Sequence, residues 1–146
     1  RAARESALEE AGRLHRPAPL VVAVTVLTSI DRDVFRREMG YSGSIEDRVR
    51  AWAVLAREAG LDGVVCSPWE IKPVRAACGE DFTVITPGIR PKGAGAGDQR
   101  RVMTPGEAVR AGASHIVVGR PVIAAADRAA AAAAVLDELR AAAGGK

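Results

Sequence analysis

The sequence predicts an α/β fold, a (β/α)8 TIM barrel of which this chain supplies about the last four βα units. Three observations predict it. Short, uniformly apolar runs alternate with helical patterns along the chain, as in βα units built on a parallel sheet. Two phrases, "AGLDGVVCS" and "AGASHIVVGR", repeat one order of helix end, glycine, strand and polar loop. The glycine fingerprint of a doubly wound dinucleotide fold is absent from the first βα turn. The later "GAGAGDQ" puts Asp98 where the third glycine of G-x-G-x-x-G belongs, and Lys92 precedes the glycines instead of following them as in a P-loop.

Each element follows from local pattern. Residues 2–14 read as an amphipathic helix. Residues 19–26, "PLVVAVTV", are a valine-rich run expected to be a strand buried on both faces. Residues 44–59 form a helix capped by Ser44, with Glu46 and Asp47 in its first turn and Ile45, Val49, Trp52, Ala53 and Leu55 at helical spacing; Gly60 ends it. A strand over 62–66 and a helix over 69–78 follow. Next come a strand over 82–86 and a helix over 104–111, opened by Thr104 and Pro105. The strand "HIVV" at 115–118 and an alanine-rich helix over 125–143 complete the chain.

A closed barrel of this kind takes eight strands and about 250 residues. Four strands leave two sheet edges and one face open. The chain begins at Arg1 within a helical pattern, so residues 1–146 are expected to be half of one barrel domain.

Composition removes several function classes. With 146 residues, 48% hydrophobic content and a net charge of +3, the chain suits one soluble domain. No apolar run approaches the roughly 20 residues that span a bilayer, and the charged N-terminus does not read as a leader peptide. No membrane partner is expected. Aromatic residues make up 3%, too few to accompany a basic patch in a nucleic-acid interface. The two cysteines, Cys66 and Cys78, suit a reducing cytoplasm, and Cys66 in "GVVCS" reads as a buried small apolar group. His15 and His115 lack ligand spacing with the cysteines, so no metal is expected; His115 reads as a packing residue, and Trp52 and Trp69 as core or interface.

Three segments carry candidate chemistry. In "VVGRPV", Gly119 lets backbone approach an anion, a helix start beyond it adds donors, and Arg120 can grip phosphate oxygens in a two-pronged fashion. The competing reading is a tight turn with a surface arginine. "TPGIRPKGAGAGDQRR", residues 86–101, offers a glycine-rich segment able to fold over a ligand, with Arg90 and Gln99 as contacts; an ordinary surface loop is the alternative. In "VLTSI", Thr28 and Ser29 follow the first strand, where hydroxyls can meet a polar ligand or cap a local turn.

Together, "AVTVLTS", "GLDGVVCS", "TPGIRP…GDQRRVMTP" and "VVGRPV", in this order and spacing, closely resemble bacterial orotidine 5′-phosphate decarboxylase from about Pro17 to the last helix. The resemblance implies conversion of orotidine monophosphate (OMP) to UMP and CO₂, the last step of de novo pyrimidine synthesis, with no metal or organic cofactor, in a cytoplasmic homodimer. It implies that Arg120 and the backbone of Gly119 hold the 5′-phosphate. Gln99 bridges phosphate and pyrimidine, Arg90 contacts the phosphate side, and Thr28 bonds the pyrimidine amide edge. The family's D-x-K-x-x-D motif, with a further lysine and aspartate, is missing. No catalytic residue is therefore expected on this chain, which reads as the carboxyl-terminal half and is expected to be inactive alone. Two alternatives are a non-catalytic phosphate-binding half-barrel and another sugar-phosphate barrel enzyme, such as a hexulose phosphate synthase. The latter calls for a metal for which the sequence offers no ligands.

Overall fold

The computed structural model describes residues 1–92 and 101–144. Its four strands, β1 (Val22–Val24), β2 (Gly63–Val65), β3 (Thr83–Thr86) and β4 (His115–Ile116), form one parallel sheet in the order β1-β2-β3-β4. The helices are α1 (Ala2–Arg13), α2 (Arg32–Arg37), α3 (Ile45–Glu58), α4 (Ile71–Cys78), α5 (Pro105–Ala111), α6 (Arg120–Ile123) and α7 (Arg128–Ala143), with a 3₁₀ turn at Pro68–Glu70 ahead of α4. The sheet order follows the chain, as in successive units of a barrel, and the expected elements lie where the periodicity puts them.

The sheet is buried on one face. In register, Ala23, Val64 and Val84 form one row, and Val24, Val65, Ile85 and His115 the next. Strand alternation sends these rows to opposite faces. Val64 and Val84 are fully buried in a core completed by Val49, Ala53 and Ala56 of α3, with Ile71 and Val74 of α4. The other row has no covering layer among the described residues: Val24 is 62% exposed and His115 is exposed. This corrects two expectations. The first strand is not buried on both faces, and His115 is not a packing residue, because both lie on the face that a closed barrel fills from its other strands. Trp69 is also exposed, at 57%. Cys66, at 1%, is buried as expected.

Two side chains fasten the rim at the strand starts. Asp62 accepts a hydrogen bond from Val21 N–H at 2.7 Å and pairs with Arg4 at 2.9 Å, pinning α1 beneath β1 and β2. Arg75 donates to the carbonyl oxygens of Gly112 at 2.7 Å and Phe82 at 2.5 Å, and to Ser114 Oγ at 2.7 Å, tying α4 to the approaches to β3 and β4.

Helix ends follow from capping. Ser44 Oγ accepts from Asp47 N–H at 3.0 Å to open α3. Thr104 and Glu107 form a reciprocal capping box at α5. Two short helices were not expected. α2 is opened by Asp31, which accepts from the N–H groups of Asp33 and Val34, and it is held by one apolar anchor, the fully buried Phe35 stacked on Tyr41. Six residues with one anchor give no readable period. α6 is a single turn.

Candidate substrate-binding site

Parallel strands deliver all four C-terminal ends to one rim of the sheet. The segment after β1 carries Thr28, that after β3 carries Arg90, and that after β4 carries Gly119 and Arg120. Gln99 lies outside the described residues.

Thr28 sits in a turn closed by a hydrogen bond from Ile30 N–H to the Leu27 carbonyl at 3.0 Å. It is 6% exposed and, with Ser29, Val65, Cys66 and Pro87, lines a cavity of about 230 Å³ over the ends of β1 to β3. Cys66 brings no nucleophile to this cavity, because burial pushes its thiol up to about 12.

Arg90 is 8% exposed, and its guanidinium donates to the Ile89 carbonyl at 2.8 Å. Its N–H bonds the Met103 carbonyl at 2.9 Å, and Ile89 pairs with Met103 as an isolated parallel bridge. These contacts close the stem of the 86–101 segment. Gly88 enters that stem at φ +81°, a conformation that glycine adopts without strain.

Gly119 and Arg120 are exposed and open α6. A side chain at Gly119 would meet nothing within 4 Å, so the backbone there is open to an approaching group. The helix that begins here is the short α6, which the sequence pattern did not announce. With one turn, and Pro121 lacking an N–H, its dipole adds little, and the positive charge at this point is that of Arg120. The sheet order places β4 beside β3, so Arg120 and Arg90 belong to neighbouring segments of one rim.

Sequence reasoning missed the most buried charges among the described residues of this rim. Glu70, 3% exposed, pairs with Arg101, 5% exposed. The same guanidinium donates to the Leu27 carbonyl at 2.9 Å. Burial raises the Glu70 carboxyl to about 7, with the Arg101 charge acting the other way. The pair stands at the back of a larger cavity of about 580 Å³, lined also by Asp31, Ser44, Ile45 and Trp69. A signal was present in the sequence: Glu70, Val74 and Cys78 recur at four-residue spacing, which puts Glu70 on the apolar face of its helix.

Comparison with known proteins shows the family. The family model described as "Orotidine 5'-phosphate decarboxylase / HUMPS family" matches residues 1–135. An orotidine 5′-phosphate decarboxylase of Moorella thermoacetica is 57% identical over 138 residues, covering 94% of this chain and 55% of the relative. One of Heliobacterium modesticaldum is 50% identical over 139 residues, covering 95% of this chain and 57% of the relative. The crystal structure of orotidine 5′-phosphate decarboxylase from Lactobacillus acidophilus superposes with a TM-score of 0.70 at 40% identity, covering 85% of this chain and 50% of that one. The chain thus spans about half the length of the curated relatives it matches.

Proposed function

Because the chain belongs to the orotidine 5′-phosphate decarboxylase / HUMPS family, we propose that it is the carboxyl-terminal, substrate-holding half of an OMP decarboxylase barrel. The observation that carries this reading is the single rim that gathers Thr28, Arg90, Gly119 and Arg120 at the ends of parallel strands. In this reading Arg120 and the Gly119 backbone take the 5′-phosphate. Arg90 supports the phosphate side, Gln99 bridges phosphate and base, and Thr28 meets the pyrimidine from the cavity over β1 to β3.

The reaction breaks the bond between the ring carbon and its carboxylate. The electron pair stays on the ring carbon, which must then gain a proton. This reading assigns that proton to none of the described groups: Lys72 lies on α4, Cys66 is a buried neutral thiol, and the Glu70 carboxyl is tied to Arg101. The chain's contribution is binding energy from the phosphate, a part of the substrate that does not react. Such remote binding can offset distortion and desolvation at the reacting carbon. The reading extends to a cytoplasmic homodimer. The exposed apolar row that includes Val24 offers surface for the remaining barrel strands.

The test is decarboxylation of OMP by two preparations, the chain alone and the chain joined to the portion of the Moorella relative that it does not cover. We expect no UMP from the chain alone and turnover from the joined protein, with Arg120→Ala raising KM for OMP. Turnover by the chain alone, or none by a folded joined protein, would contradict the reading.

A further inference from the structure

The geometry points to Arg101 as a positioning residue that couples the pyrimidine end of the site to the phosphate end. The inference rests on the reading above, in which Thr28 meets the base and Arg90 lies on the phosphate side. It adds a residue to which that reading assigns no role.

The bonds define the coupling. The Leu27 carbonyl accepts from Ile30 N–H at 3.0 Å and from Arg101 Nη2 at 2.9 Å. The first bond closes the turn with Thr28 and Ser29 at its centre, and the second fixes that turn from outside. Arg101 also belongs to the stem of the 86–101 segment. Two residues on, Met103 pairs with Ile89 and accepts from Arg90 N–H at 2.9 Å. The Arg101 Nη1 pairs with Glu70 at the end of the segment after β2. One guanidinium therefore links the segments that follow β1, β2 and β3.

Arginine suits this task because its planar fork presents several donors in fixed directions, whereas a lysine ammonium is a point charge on a flexible stem. Burial makes the link rigid. An unpaired charge at this depth is costly, so Arg101 cannot leave Glu70 without a penalty, and the carbonyl bond is held in register with the ion pair. A displacement of the 86–101 stem must then pull on the Thr28 turn. The reverse also holds, since coupling between two sites is reciprocal.

The experiment is a double-mutant cycle on the 146-residue chain, with UMP affinity read by NMR titration. Thr28→Val and Arg90→Gln are made singly and together, in the native chain and in an Arg101→Lys background. Arg101→Lys keeps a cation beside Glu70 but loses the fork. A second background, Glu70→Gln with Arg101→Met, removes both charges and leaves none buried alone. In the native chain we expect the two substitutions to be non-additive by about tenfold in Kd. In either altered background they should become additive to within about twofold while the fold is retained. A purely structural Arg101 would lower stability without changing additivity. Additivity in a native chain that binds UMP overturns the inference and leaves the functional reading standing. Unchanged non-additivity in both backgrounds does the same. A folded native chain with no UMP affinity overturns the functional reading and the inference with it.

Discussion

Gly63 and Glu70 are the residues whose chemistry leaves least freedom. Gly63 stands opposite Thr83 in the β2–β3 register, and a side chain there would run into the Thr83 carbonyl and Cβ. Backbone, not a flexible side chain, blocks it. Gly63→Ala should therefore cost about 3 kcal/mol or more, read as a lower midpoint in urea unfolding; an unchanged midpoint would mean that the strands separate freely. Glu70 gives a pH signature. Its carboxyl is raised to about 7 by burial, above the unfolded value, so the native chain holds that proton more tightly. The stability from this group is complete below the unfolded pKa and is lost as pH rises through the folded pKa. Comparing native chain with Glu70→Gln cancels the other carboxylates. The native chain should lose about 3 kcal/mol relative to the variant between about pH 4 and pH 8, and a difference independent of pH would place the proton elsewhere.

At the scale of elements, the caps make the clearest prediction. Thr104 accepts from Glu107 N–H while Glu107 accepts from Thr104 N–H and Oγ, and these bonds hold the Glu107 carboxyl below its ordinary range. Thr104→Ala should cost about 1 kcal/mol in thermal unfolding, and Thr104→Ser should recover most of it. This cap was legible in the sequence, as were Ser44 and all four strands, because capping and apolar periodicity are local. What escaped depended on distant chain. Strand β1 is apolar throughout because a full barrel covers both of its faces, and only the register distinguishes Val64, inside, from Val24, on the open face. His115 escaped for the same reason. Trp69 reads as core or interface by residue type; it is not core, since it stands exposed among the residues lining a cavity. Among the site residues, the positions of Thr28, Arg90, Gly119 and Arg120 on one rim follow from βα order alone. The Glu70–Arg101 pair joins residues far apart in sequence, so no local pattern announces it, and the helical spacing of Glu70 is its one trace.

As a whole, the molecule divides its work between two rims. The rim at the strand starts is fastened by Asp62 and Arg75, each satisfying backbone groups of neighbouring units, and it serves stability. The rim at the strand ends carries Thr28, Arg90, Gly119 and Arg120, linked in part by Arg101, and it is the proposed substrate side. We propose that this rim grips a nucleotide through its phosphate in the 146-residue chain by itself. The most direct test is the affinity of the 146-residue chain for UMP against uridine, by calorimetry, in native and Arg120→Ala forms. UMP should bind tighter than uridine by about 2 kcal/mol or more, and Arg120→Ala should remove most of that difference with little change for uridine. Equal affinities in the native chain, or a preference for UMP that survives Arg120→Ala, would contradict it.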